Sequence, residues 1–256
     1  MPKDLAYRVN LDGTRNVNDF ACSVKNLRRY NYISTCYIAG KRLGDILETE
    51  LEHNAGFRNN YEETKYLAEI EVDKLKGSLP LTIYRPSVVV GDSQTGETTK
   101  YDGIYHLINY VRKAPILLRI MNVGNSHVRL NLVPVDFVVD AIAALARDKG
   151  SVGKTLALAD PDPLTTAELF DAIAKDISGR KSEFALPARL AEWFLNTRLS
   201  PLITGLPHNG VPYFFVSQNY DTRLADRLLA RHGIVCPRFG DYVSNLLDFV
   251  DEFPQL

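Results

Sequence analysis

Cysteine is scarce: Cys22, Cys36 and Cys236 are the only three in 256 residues. An odd, widely spaced set builds no disulfide framework. A secreted chain would leave one thiol unpaired, so a reducing, cytoplasmic setting is expected. Net charge is nearly absent as well, with 30 basic and 31 acidic side chains giving -1. No whole-molecule field draws the chain to nucleic acid or to an anionic membrane, and neither is an expected partner. No uncharged apolar run approaches the ~20 residues that span a bilayer. The first eight residues have neither the apolar core nor the cleavage site of a signal peptide. Five isolated histidines without Cys or carboxylate partners at helical ligand spacing speak against a metal site. No Gly-x-Ser-x-Gly elbow is present, which excludes that class of serine hydrolase. What is present, 45% hydrophobic and 24% charged residues, is the balance of an ordinary globular protein.

Strand and helix patterns alternate along most of the chain. Leu5, Val9, Val17, Phe20 and Val24 recur at helical steps. Tyr30 to Ile38, aromatic and β-branched, reads as a strand, followed by a polar loop from Gly40 to Phe57. Asn59 or Asn60 caps a second helix that ends near Lys76 and Gly77. Leu81–Tyr84 and Ser87–Gly91 read as one strand interrupted at Pro86. A helix over Tyr105–Val111, an extended Leu130–Val135, a helix from Asp136, a strand at Thr155–Ala159 and a capping box at Thr165–Glu168 follow. Such alternation means βαβ units and a parallel sheet, an α/β fold. From Leu186 onward helices around Trp193 and Leu224, punctuated by prolines, suggest a smaller helical cap. The division is residues 1–180 and 181–256, with a soft boundary.

One pair of side chains carries chemistry. Tyr61 and Lys65 lie four apart at the start of a helix and project from one face. A phenol is a poor acid, with a pKa of ~10 in water, and a nearby ammonium moves it toward neutrality. Such a tyrosine can exchange a proton with a carbonyl or alcohol oxygen. The same spacing at Tyr37 and Lys41 straddles Gly40 in a loop and is read as coincidence. Ser34 and Thr35 lie at the carboxyl end of a strand, where ligands bind in parallel sheets. Either hydroxyl can stabilise charge on the same substrate oxygen.

Asn10–Thr14, Tyr32–Thr35, Tyr61-x-x-x-Lys65, Tyr84–Gly91 and Asn131–Asp136 together resemble the extended short-chain dehydrogenase/reductase superfamily. Gly91-Asp92-Ser93-x-Thr95-Gly96-Glu97 is similar to its thioester reductase and fatty acyl-CoA reductase branch. The resemblance implies a Rossmann-like doubly wound sheet and hydride transfer from NAD or NADP to an acyl thioester or related carbonyl. By it Tyr61 is the general acid, and Lys65 tunes it and binds the nicotinamide ribose. Thr35 orients the substrate, with Ser34 as the second choice. Pro86, Ser87 and Val88 pass beside the nicotinamide, Ile33 lies against the cofactor, and Asn10 stands on the helix behind the site. Cys36 and Tyr37 are placed toward the substrate. Where related dehydratases carry an acidic pair, these two residues stand instead, which argues against dehydration but leaves an epimerase open.

The departure from the pattern is a missing turn. The superfamily begins with a strand and Gly-x-x-Gly-x-x-Gly, which holds the pyrophosphate at a helix N-terminus. No three of the 16 glycines have that spacing. By this comparison the chain starts roughly 80–100 residues late and lacks the first strands of the sheet, so that alone it is expected to be inactive or nearly so. Gly150–Thr155 ends like a P-loop, but Asp148 occupies the place of its first glycine and a strand follows. A non-catalytic interaction module is the competing reading. The helices over 3–25 and 60–76 resemble the dimer-forming pair of the superfamily, so a homodimer is expected. The apolar stretch from Ile104 to Met121, interrupted mainly by Arg112, Lys113 and Arg119, suits an acyl chain or, equally, a structural helix with a solvated basic face.

Overall fold

A computed structural model describes residues 2–113, 121–122, 124–182 and 216–254, with positions 184–185, 187, 190 and 193. In chain order the first elements are α1 (Lys3–Ala6), α2 (Gly13–Ser23), β1 (Tyr30–Ile33), β2 (Gly44–Ile46), α3 (Asn60–Asp73), β3 (Leu81–Pro86) and β4 (Val88–Val90). There follow α4 (Ile104–Lys113), β5 (Met121–Asn122), β6 (Leu132–Pro134), α5 (Val135–Leu145), β7 (Thr155–Leu158) and α6 (Thr166–Ser178). Last come β8 (Phe184–Ala185), β9 (Gln218–Tyr220), α7 (Arg223–Leu229) and α8 (Phe239–Glu252). Among the described residues no helix is long and apolar enough to cross a membrane.

One compact unit comprises residues 1–87, 138–161 and 219–236. Its sheet is parallel in the order β1-β3-β7, with Tyr32 opposite Ile83 and Ile83 opposite Thr155. Central β3 is buried along its whole length, as a parallel strand covered on both faces should be. Tyr30, Tyr32, Leu81 and Ile83 pack with Leu11 of the first helix and with Ala68 and Val72 of α3. The opening helix is interrupted by a π-helical stretch, Tyr7–Asp12, between α1 and α2. Its expected apolar stripe points outward: Val9 is 56% and Phe20 69% exposed, whereas Ala6, Leu11 and Ala21 are buried.

Two strand expectations are corrected here. The run from Tyr30 to Ile38 stops pairing as a strand at Ile33, and Cys36–Ala39 forms a 3₁₀ turn. Thr35 causes the break, because its hydroxyl accepts the Tyr37 N–H at 3.2 Å and caps that turn. Pro86 divides rather than merely interrupts its segment, since β3 pairs with β1 and β7 while β4 pairs with β6. The expected polar loop over 40–57 also contains the short strand β2.

The other unit comprises residues 88–137, 162–218 and 237–256. Here β4 runs parallel to β6, and α4, α6 and α8 bury Ile108, Phe170, Tyr242 and Leu246 in one core. The capping box on α6 is present, with Thr165 and Glu168 serving each other's backbone. The Gly91–Glu97 run folds as a tight turn. The Asp92 carboxylate accepts the N–H groups of Gln94 and Thr95, at 2.8 and 3.0 Å. Gly96, with φ of +73°, lies so close to α8 that a Cβ would come within 2.0 Å of the Asn245 carbonyl oxygen. α8 has no counterpart in the sequence expectations. The helix expected around Trp193 falls largely outside the described residues, as do positions 114–120 of the apolar stretch to Met121, while Ile104, Leu107, Ile108 and Val111 of that stretch are buried in the core of this unit.

Candidate functional site

The site is built at the carboxyl end of β1, within the first unit. Asn59 starts α3 by accepting the Glu62 N–H at 3.0 Å, which fixes where the first turn faces. Tyr61 stands in that turn, 43% exposed. One turn on, Lys65 is half-buried, its ammonium donating to the Ile33 carbonyl at 2.8 Å and lying 4.9 Å from the centre of the Tyr32 ring. Burial holds the Lys65 ammonium below its usual pKa, and the Glu69 carboxylate opposes that shift. The Ile33 side chain, 53% exposed, leaves the strand end open.

Both strand-end hydroxyls turn inward. Ser34 donates to the Glu69 carboxylate in a short hydrogen bond. Thr35 donates to the Pro86 carbonyl over a longer 3.4 Å and accepts the Tyr37 N–H. Tyr37 itself is half-buried. Cys36 is 3% exposed, its thiol on the Arg85 carbonyl at 3.1 Å, and burial pushes its pKa well up. It borders a cavity of about 10 Å³ shared with Glu48, Arg85 and Tyr220, room for one water. Asn10 supports α3 from behind, its amide donating to Thr64 Oγ1 at 2.9 Å. Thr64 passes its own proton to the Asn60 carbonyl at 2.7 Å. Ser87 continues the chain beyond β3. Its N–H donates to the Leu158 carbonyl at 3.0 Å, and its buried hydroxyl has no hydrogen-bond partner among the described residues. Val88 belongs to β4, in the other unit.

Lys65, Ile33, Ser34 and Thr35 are thus gathered around one strand end, with Tyr61 one helical turn from Lys65 on α3. Sequence reasoning missed the groups beneath them: Glu69, Arg85, Glu48 and Tyr32. Glu69 is readable as a carboxylate one turn beyond Lys65 on the same helix. Nothing in the spacing pairs it with Arg85 on the next strand. Tyr32 is buried under Lys65, and burial raises its phenol to about 12. For a nicotinamide the described residues fit at one end. An exposed strand terminus, a phenol, an ammonium and the unpartnered Ser87 hydroxyl are at hand. Among the described residues no cluster of His, Cys, Asp and Glu could hold a metal ion.

Over residues 2–142 the chain matches the family described as male sterility protein, an NAD-binding type. It is 28% identical over 184 residues to the non-canonical nonribosomal peptide synthetase FrzA of a Cladobotryum species, covering 68% of this chain and 17% of that protein. It is 26% identical over 170 residues to the fatty acyl-CoA reductase wat of Drosophila melanogaster, covering 56% of this chain and 33% of that one. The crystal structure of the terminal R domain of the myxalamid PKS-NRPS pathway superposes with a TM-score of 0.79 at 23% identity, over all of this chain and 66% of the other. That superposition shows the fold, which is α/β and Rossmann-like. The chain spans a third or less of the length of these curated relatives.

Proposed function

The chain belongs to the male sterility protein family of NAD-binding domains, and we propose that it serves the reduction of an acyl thioester or related carbonyl, with Tyr61 as proton donor. The bound nicotinamide, NAD or NADP in type, supplies the hydride. Tyr61 gives its proton to the substrate oxygen as negative charge builds there. Lys65, held on the Ile33 carbonyl at 2.8 Å, keeps a positive charge one helical turn from that phenol and reaches the ribose side of the same opening. The observation that carries the reading is this placement of Lys65 at an open strand end, beside a partly exposed Tyr61.

Of the two strand-end hydroxyls, Thr35 is the one assigned to the substrate oxygen. Ser34 has committed its only proton to Glu69, whereas Thr35 spends its own on a long 3.4 Å bond that a better acceptor can replace. Cys36 and Tyr37 follow it. Both are assigned to the substrate side, Cys36 buried and Tyr37 half-buried. Pro86 and Ser87 form the wall proposed for the nicotinamide, where the Ser87 hydroxyl has no hydrogen-bond partner among the described residues. Asn10 holds α3 in register behind the site.

The fatty acyl-CoA reductase among the relatives supports an acyl substrate rather than a sugar nucleotide. The residue test is kinetic. In any form of the protein that turns over, Tyr61→Phe is expected to lower NADPH-dependent thioester reduction by about 10²–10⁴-fold. Thr35→Ser is expected to retain most activity and Thr35→Ala to lose it. An unchanged rate in Tyr61→Phe removes the assignment. The outward stripe of Leu5, Val9, Val17 and Phe20 supports a second copy as partner. Light scattering decides this: a dimer in the parent and a monomer in Phe20→Lys are expected, and a monomeric parent contradicts it.

A further inference from the structure

Beneath the strand end lies an ion pair that the reading so far does not use. Glu69 is fully buried in the middle of α3, between Ala68 and Val72 on its inner side, and Arg85 is only 4% exposed on β3. The carboxylate divides its oxygens. Oε1 takes both Arg85 contacts, from Nε at 2.9 Å and Nη2 at 2.6 Å, while Oε2 takes the Ser34 hydroxyl. Arg85 is anchored in turn, its Nη1 donating to the Glu48 carbonyl at 3.3 Å. The Glu48 side chain then fastens β7 and the start of α7 by accepting the N–H groups of Ala157, Leu224 and Ala225. A buried ion pair is a poor device for stability alone, because an apolar pair of similar volume does as well or better. Its placement between the strand-end hydroxyl and the helix bearing Tyr61 and Lys65 asks for another role.

We propose that Glu69 is a positioning residue of this site: braced by Arg85, its carboxylate ties the Ser34 hydroxyl inward and so ties the strand end, whose Ile33 carbonyl holds Lys65, to the helix that bears Tyr61 and Lys65. The inference deepens the reductase reading and rests on it for the use made of Lys65. Fixing Ser34 removes a competing donor, which leaves Thr35 as the strand-end hydroxyl available to a substrate oxygen. The groups that act on Lys65 are Glu69 from α3 and the Tyr32 ring from β1, with Arg85 of β3 paired to Glu69. Glu69 is the charge that Lys65 feels, and it opposes the effect of burial.

The test needs no turnover. In the full chain with labelled lysine, the Lys65 ammonium is followed by NMR against pH, its signal assigned with Lys65→Arg. Glu69→Gln is expected to lower the Lys65 midpoint by about one pH unit, a roughly tenfold gain in acidity. If Arg85 left unpaired prevents folding, the double variant Glu69→Gln/Arg85→Gln removes both charges and should move Lys65 in the same direction. Because loss of the Glu69 charge shifts Lys65 whatever the carboxylate positions, Ser34→Ala, which leaves both charges in place, is the deciding variant: its Lys65 midpoint is expected to move as well, and a midpoint unmoved in folded Ser34→Ala overturns the proposal. Tyr61→Phe kinetics test the reductase reading separately, so either idea can fail while the other stands.

Discussion

Lys65 holds the main-chain carbonyl of Ile33 at 2.8 Å, so the cation of α3 is tied to the last residue of β1. That bond joins the two elements that bear the candidate chemistry. The ammonium is consequently half-buried and more acidic than in water.

Stability should therefore depend on pH through this one residue. The folded-state pKa of Lys65 lies below its ordinary 10.5, so between the two values the unfolded chain binds the extra proton. Unfolding free energy then rises with pH in that window, and the full cost of the buried charge is felt below it. Urea titrations from about pH 8 to about pH 11 should show the parent gaining on Lys65→Met as pH rises. A constant difference between the two would mean that Lys65 is not desolvated.

The thiols should differ sharply in reactivity. Cys22 is exposed, while Cys36 and Cys236 are buried, and burial raises the Cys36 pKa. Only thiolate reacts quickly, so the native chain at neutral pH should lose Cys22 alone to iodoacetamide within the time that a denatured sample loses all. Rapid labelling of Cys36, read by peptide mass spectrometry, would place it on an open surface instead.

Two glycines with nearly the same backbone separate conformational strain from crowding. Gly96 and Gly153 have φ of +73° and +75°, but a Cβ at Gly96 meets the Asn245 carbonyl oxygen and one at Gly153 meets nothing within 4 Å. Gly153→Ala should cost about 1 kcal/mol from strain alone, and Gly96→Ala at least about 2 kcal/mol. Equal losses in denaturant midpoints would show that the turn is not pressed on α8.

Much of this was legible in residue order. The Asn59 cap, the Tyr61 and Lys65 face of α3, the Thr165–Glu168 capping box and the β–α alternation are local signals, and the structure has each of them. The end of β1 was not legible, because Tyr30 to Ile38 keeps strand-like composition past Ile33. The break depends on a single hydroxyl, that of Thr35, bonding to a backbone N–H two residues on. Phe239, Tyr242, Val243, Leu246, Leu247 and Val250 do repeat at helical steps, but α8 opens without a side-chain cap and follows a proline-marked loop. Glu69 looks like any solvated acid on a helix. Its burial follows only from the parallel register that brings Arg85 beneath it.

The most direct measurement is a titration with reduced nicotinamide mononucleotide, which offers the nicotinamide and ribose without the adenine half. NMR of labelled lysine, tyrosine and serine would follow the site residue by residue. The account predicts saturable shifts at Lys65, Tyr61 and Ser87 together, lost in Lys65→Met. Saturable shifts confined to other residues, or shifts equally strong in Lys65→Met, would contradict it.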